Sequence, residues 1–336
     1  MAKRDKLTKR QKRQIVKTQK KKSSNQNLVP EFSNLGVLLE GLMISRFGEQ
    51  ADVLDIRTAG RYRCFLRQNL GAPVPGDHVK FRLDKNNQGI IESIDERSSL
   101  LERPSFHQGL KPVVANINRV FVFVAPLPDF SSVLLDRYLI ALENAKMDIV
   151  IVANKWDLTE EIEQQSINQQ LAVYQALDYP VIKISTKEDV GKECFIKKAF
   201  SHSSILVGQS GVGKSSVINW LFPKQSLTVQ SISENSRLGQ HTTTASQLFC
   251  WSDKNIEDGF IIDSPGIREF GLWHLNEQQI ASGYKEFRPY IGSCKYRDCK
   301  HIKEPGCKIL EAVEKQLIPL IRWKNYTKIL ANNQKK

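Results

Sequence analysis

Eight residues, Gly208-Gln209-Ser210-Gly211-Val212-Gly213-Lys214-Ser215, carry the spacing G-x-x-x-x-G-K-[ST]. Glycines so placed let successive backbone N–H groups turn inward around a phosphate, and a helix N-terminus beyond them adds partial positive charge. The apolar run Ile205-Leu206-Val207 precedes the loop, and Ser216-Val217-Ile218-Asn219-Trp220-Leu221-Phe222 follows it with helical character. That strand–loop–helix context is what a phosphate loop requires. In this reading Lys214 reaches the β and γ phosphates, the Ser215 hydroxyl ligates Mg²⁺, and Ser216 completes the phosphate-binding set.

Phosphate loops serve many chemistries, so the base must be read elsewhere. Asn154-Lys155-Trp156-Asp157 closes the apolar run 149–152 and fits N-K-x-D. A carboxylate at Asp157 can accept from guanine N1–H and the 2-amino group, whereas adenine would leave it poorly paired. Lys155 can lay its stem along the ring, and Ser185-Thr186-Lys187 resembles the S-A-K segment that backs guanine through a backbone N–H. A plain polar turn would produce the same three letters. Asp263-Ser264-Pro265-Gly266 fits D-x-x-G, which places Asp263 near Mg²⁺ through water and the Gly266 N–H on the γ phosphate. Gly239-Gln240-His241-Thr242-Thr243-Thr244 lies between these motifs, and Thr243 is its expected Mg²⁺ ligand. A polar β-edge is the alternative there, because Thr favours strands.

The order of these motifs departs from the conventional one. GTPases ordinarily run phosphate loop, switch threonine, D-x-x-G, N-K-x-D, S-A-K; here Asn154 and Ser185 precede Gly208. A circular permutation accounts for this without altering the site, since domain termini usually lie close together at the surface. The chain after 263–266 then runs directly into the C-terminal region, so switch movement is expected to pull on it. The residue after D-x-x-G is Ile267, which cannot orient water as a glutamine does there in Ras-like proteins. His241 is the candidate to do so, against a surface or structural histidine.

A second constellation lies near the C-terminus. Cys294, Cys299, His301 and Cys307 place three thiols and one imidazole within 14 residues. Cys₃His is a saturated tetrahedral zinc set with no open position for catalysis, so the expected role of one Zn²⁺ is structural. Lys295, Arg297, Lys300, Lys303 and Lys308 surround it, and Tyr296 could stack on a base.

The elements that must position these residues can be read from periodicity. Short alternating runs at 41–44, 51–56, 62–66, 78–81 and 89–94, separated by Gly, Pro and Asn turns, read as a small closed barrel at about 36–105. Periodicity leaves an OB-fold and an SH3-like barrel both open. From about 111 to 275, continuous apolar strands at 120–124, 149–152, 181–184, 204–207 and 260–262 alternate with helices such as 131–147. That is the pattern of a doubly wound parallel α/β domain. A mixed helical region at 276–336 holds the cysteine cluster and a basic helix from about 309 to 330.

Composition bounds the rest. The 336 residues suffice for two or three domains, 40% hydrophobic content supports real cores, and no apolar run is long enough to span a membrane. Residues 1–22 hold eleven Lys or Arg and one acid, giving +10 of the net +13. Residues 1–35 therefore read as a basic disordered tail and linker attracted to polyanions, nucleic acid first among them. The tail lacks the apolar stretch of a secretory signal, and a cytoplasmic, monomeric protein is expected.

These features together resemble the ribosome small-subunit-dependent GTPase A family of bacteria. The likeness rests on the permuted order of the three nucleotide motifs, on 239–244, on Gly266-Ile267-Arg268-Glu269-Phe270-Gly271-Leu272-Trp273 and on the Cys294, Cys299, His301, Cys307 spacing. It covers nearly everything after the tail. The resemblance implies an OB-fold, a permuted GTPase and a zinc domain. It implies binding to the 30S subunit late in assembly, contact with 16S rRNA, subunit-stimulated hydrolysis of GTP to GDP and phosphate, and assistance by His241. Two other readings stay open: a GTP-gated RNA-binding assembly chaperone with little catalytic role, and a transport or stress GTPase.

Overall fold

The computed structural model describes residues 35–67, 69–105, 109–158, 161–223, 247–251, 258–263, 272 and 274–333. Five strands, β1 (Leu39–Phe47), β2 (Gln50–Asp55), β3 (Arg61–Leu66), β4 (His78–Leu83) and β5 (Gly89–Ile94), close into a barrel in the order β1-β2-β3-β5-β4. β3 and β5 pair in parallel, and β4 closes on β1 in antiparallel. This five-stranded arrangement is that of an OB-fold and decides between the two barrels that periodicity left open. Alternate residues fill the barrel, among them Met43, Val53, Cys64, Phe81 and Ile91.

A feature the sequence reading passed over follows the barrel. β6 (Leu100–Ser105) and β7 (Gly109–Ala115) form a separate antiparallel ribbon between barrel and sheet. The junction is held by polar groups. Fully buried Asp77 accepts from Arg97 Nε at 2.7 Å and from the Val74 N–H at 2.8 Å, and Asn116 Nδ2 donates to the Gly76 carbonyl. Leu42, Leu54, Leu101 and Val114 share one buried cluster with the strands that follow, so barrel and ribbon are packed onto the next layer.

The central sheet has the order β10-β9-β8-β11-β13-β12. Its strands are β8 (Arg119–Val124), β9 (Asp148–Ala153), β10 (Val181–Lys183), β11 (His202–Gly208), β12 (Gln247–Cys250) and β13 (Gly259–Asp263). All neighbours are parallel except β12, which runs antiparallel to β13. Alternation sends side chains to two faces. Val120, Val122, Ile149 and Ile151 meet α1 (Ser132–Asn144) and α2 (Glu161–Gln175), while Phe121, Phe123, Val150 and Val152 meet α3 (Lys192–Ala199) and α4 (Lys214–Leu221). Ser131 caps α1 by accepting from the Leu134 N–H.

The chain crosses from one side of the sheet to the other between β8 and β11. The crevice outside the carboxyl ends of these strands is therefore the topological switch point, where open α/β sheets bind ligands. With β11 central and β13 beside it, the sheet is that of a nucleotide-binding domain entered at β8.

The C-terminal region packs on α1. It comprises α5 (Glu277–Ser282), a 3₁₀ turn (Lys285–Tyr290), α6 (Lys308–Glu314) and α7 (Leu320–Asn333). The expected basic helix over 309–330 is two helices. Gln316 takes a left-handed φ of 58°, and Pro319, which lacks an N–H, stands just before α7. Asn276 and Gln279 form a capping box that starts α5.

Candidate functional site

Residues from β9, β10, β11 and β13 converge at the carboxyl edge of the sheet. The loop 208–213 leaves β11 with Gly208, Gly211 and Gly213 at φ of 144°, 85° and 90°. At Gly213 this freedom is required twice over, because a Cβ would also come within 2.4 Å of Asn154 Nδ2. Asn154, 1% exposed, uses that space to donate from Nδ2 to the Val212 carbonyl at 2.8 Å. The first residue of the base-reading motif is thus bonded directly to the phosphate loop. Asn154 Oδ1 is buried and has no hydrogen-bond partner among the described residues.

The remaining motif residues surround this contact. Lys155 sits at φ 59°, with Nζ donating to the Leu127 carbonyl at 3.2 Å. Asp157 lies in a 3₁₀ turn (Trp156–Leu158), and its Oδ1 accepts from Ser185 Oγ at 2.6 Å. Ser185 is buried, and its hydroxyl also accepts from the Glu188 N–H. Thr186 and Lys187 occupy the turn that Ser185 and Val190 close with paired backbone bonds of 3.1 and 3.0 Å. N-K-x-D and the S-T-K turn are therefore one hydrogen-bonded unit.

On the phosphate side, Lys214 Nζ folds back to donate to the carbonyls of Gly208 (2.7 Å) and Gln209 (2.9 Å). Ser215 Oγ lies 3.4 Å from Asp263 Oδ2. Burial pushes the Asp263 carboxyl above its ordinary range, while the Lys214 ammonium and the Ser215 hydroxyl pull it back. A hydroxyl and a buried carboxylate beside an ammonium make a donor set suited to a hard cation accompanying phosphates. Ser210 is exposed at the loop's tip, and Ser216 is exposed in the first turn of α4. A cleft opens between Gln209 and Val212 on one wall and Pro128, Asp129 and Ser131 on the other. His241, Thr243 and Gly266 lie outside the described residues.

Comparisons with known proteins identify the family. A sequence model of the family described as RsgA GTPase matches residues 94–273. A protein of Proteus mirabilis named small ribosomal subunit biogenesis GTPase RsgA is 41% identical over 337 residues, covering 97% of this chain and 94% of its own. One of the same name from Actinobacillus pleuropneumoniae is 42% identical over 330 residues, covering 96% and 94%. This chain belongs to the RsgA GTPase family. The crystal structure of YjeQ from Thermotoga maritima superposes with a TM-score of 0.70 at 30% identity, covering 89% of this chain and 100% of that one. The crystal structure of YloQ, titled a circularly permuted GTPase, gives 0.67 at 24% identity, over 91% and 97%, and shares the fold. As a member of the family the chain is a GTPase, and its nucleotide motifs run in permuted order around an ordinary crevice.

The cysteine cluster of this family member is a separate centre. One ligand atom from each of Cys294, Cys299, His301 and Cys307 lies within 4.8 Å of the others. Cys294 Sγ is 3.5 Å from His301 Nδ1 and 3.9 Å from Cys307 Sγ, and His301 Nδ1 is 3.4 Å from Cys307 Sγ. Metal–sulfur bonds of about 2.3 Å and metal–nitrogen bonds of about 2.0–2.1 Å on a tetrahedron imply edges of roughly 3.8 and 3.5 Å. The separations among Cys294, His301 and Cys307 therefore fit zinc, and that between Cys294 and Cys307 is too long for a disulfide. Burial pushes the Cys299 thiol up to about 12, raises Cys307 and lowers His301. A divalent cation at their centre would reverse this for the thiols by favouring thiolates. His301 is held at φ 59° and its carbonyl accepts from Trp323 Nε1, while Tyr326 donates to the Lys300 carbonyl. The exposed Tyr296 ring carries Lys295 Nζ at 5.5 Å from its centre.

Sequence reasoning missed a fully buried ion pair. Arg322 of α7 and Asp136 of α1 form an ion pair with neither side chain exposed. Asp136 also accepts from Tyr174 Oη at 2.7 Å and Asn325 Nδ2 at 2.9 Å, and Arg322 Nε donates to Glu286 at 2.6 Å. This cluster bolts the C-terminal region to the GTPase helix that begins beside the cleft. The signal in the sequence was an acid amid the largely apolar run Val133-Leu134-Leu135-Asp136-Arg137-Tyr138-Leu139.

Proposed function

We propose that this chain hydrolyses GTP as a switch in biogenesis of the small ribosomal subunit, the activity its relatives' names state. The observation that carries the nucleotide assignment is the Asn154–Val212 bond, because it sets the guanine reader and the phosphate cradle over one crevice. Guanine would lie along the Lys155 stem with its N1–H and 2-amino groups on Asp157, and Asn154 Oδ1 offers a buried acceptor beside it. The N–H groups of 209–215 would surround the β phosphate, and Lys214 would exchange its two carbonyl partners for phosphate oxygens. Mg²⁺, held by Ser215 and Thr243 with Asp263 behind, would neutralise charge on the triphosphate. Water attacks the γ phosphorus, the bond to the bridging oxygen breaks, and GDP and phosphate leave. His241 would orient that water and the Gly266 N–H would report loss of the γ phosphate.

The barrel, the zinc-binding domain and the basic tail would supply the RNA-facing surfaces, with 16S rRNA as the partner and the protein acting as a cytoplasmic monomer. No described helix is long and apolar enough to cross a membrane. Zn²⁺ would tie the segment 294–307 onto a core that includes Tyr284, Phe287, Ile309 and Tyr326.

The decisive experiment is single-turnover GTP hydrolysis with and without 30S subunits at fixed salt. Subunits should raise the rate at least about tenfold, and Lys214→Ala should abolish turnover. An unstimulated rate would favour the GTP-gated RNA-binding reading, and unchanged turnover in Lys214→Ala would remove the phosphate-site assignment.

A further inference from the structure

The S-T-K turn is secured at both ends. Near the crevice, Ser185 holds Asp157. At the far side, Asp189 Oδ1 accepts from Trp220 Nε1 at 2.6 Å. Trp220 belongs to the last turn of α4, the helix whose first turn forms the phosphate cradle, and its ring packs against the buried cluster on that face of the sheet. Lys192 Nζ sits 5.1 Å above the same ring from the start of α3.

We infer that Trp220 and Asp189 are positioning residues for guanine recognition, clamping the base-reading turn to the phosphate-loop helix. This rests on the reading of Asp157 as the guanine acceptor. The turn has few other supports: residues 186–190 are largely exposed, Asp189 adopts φ 55°, and the Ser185–Val190 bridge is isolated from any sheet. Asp is one of the few non-glycine residues that visit αL, and the indole N–H on its carboxylate fixes the turn there. Freeing the indole would let the turn shift, moving Ser185 and, with it, the carboxylate it holds. The phosphate loop has its own bond to Asn154 and would stay in place.

The test uses the full chain and measures equilibrium binding of GTP, inosine triphosphate, which lacks the 2-amino group, and inorganic tripolyphosphate. Trp220→Phe keeps an aromatic ring under Lys192 and removes the donor along with part of the packing surface, whereas Asp189→Ala removes the acceptor and leaves the indole in place. It should lower the preference for GTP over inosine triphosphate about fivefold, the worth of one such hydrogen bond, and leave tripolyphosphate binding within twofold. Asp189→Ala should do the same, and the double variant should be no worse than either single one, because both remove one bond. An unchanged nucleotide preference in both single variants, or parallel loss of tripolyphosphate and GTP, would overturn the clamp. Asp157→Asn serves as the control: it should exchange GTP for xanthosine triphosphate. If it does not, the base reading fails and the clamp with it. If it does while the clamp variants keep wild-type preference, the clamp alone is wrong.

Discussion

The nucleotide crevice and the Asp136–Arg322 cluster are built from the same residue types and put them to opposite uses. In the crevice the charged groups make hydrogen bonds to neutral partners that a ligand can replace: Lys214 to two carbonyls and Asp157 to one hydroxyl. In the cluster every charge is already met. Asp136 takes Arg322, Tyr174 and Asn325, and Arg322 takes Glu286 while lying 5.1 and 4.5 Å from the ring centres of Tyr174 and Tyr284. Burial pushes the Asp136 carboxyl up, and the adjacent guanidinium opposes it. What separates a site from a strut here is whether the partners are spent, since a desolvated charge persists only when fully compensated.

The largest effect should come from breaking the strut. Arg322→Ala leaves Asp136 and Glu286 buried without their cation, and should cost about 3–5 kcal/mol in urea unfolding. GTP affinity measured well below the melting transition should stay within about twofold. A stability loss under about 1 kcal/mol would mean the cluster is worth no more than a surface pair, and the contrast with the crevice would fail.

Asp157→Asn should reverse that pattern. GTP binding should weaken about 10²-fold, because an amide offers N–H groups to guanine N–H groups. Xanthosine triphosphate should bind correspondingly better, and stability should shift by less than about 1 kcal/mol. Equal weakening of both nucleotides would remove Asp157 from the base-reading role.

This contrast also explains what was legible in the sequence. The phosphate loop, N-K-x-D and the Cys₃His spacing are local patterns whose chemistry needs those residues close together in the chain. The strands at 120–124, 149–152 and 204–207 were legible because burial on both faces leaves a continuous apolar run. The Asp136–Arg322 pair joins residues 186 apart, and no periodicity connects an acid on one helix to an arginine in a basic one. The β6–β7 ribbon was hidden for a related reason: its strands carry Pro104, Pro112 and charges, which read as linker. The helix break before α7 was legible at Pro319, which cannot continue a helix, whereas the left-handed Gln316 that turns the chain ahead of it is a conformation residue type alone does not announce. The expected pull of the second switch on the C-terminal region must likewise contend with a buried anchor on α1 that sequence order could not reveal.

The smallest effect sharpens the comparison most. Glu143, at the rim of the same α1 interface, accepts from Arg288 at 2.7 Å and Tyr179 Oη at 2.9 Å and has Lys285 at 3.4 Å. Its own side chain is 10% exposed, but Arg288 and Lys285 are 44% and 34% exposed, so water screens both cations. Glu143→Gln keeps an acceptor for Tyr179 and removes only the charge. It should cost less than about 1 kcal/mol in urea unfolding at low salt and still less at high salt. Were this loss to approach that of Arg322→Ala, solvent access to the cations would not be what sets the worth of an ion pair at this interface. The division between crevice and strut would then need another cause.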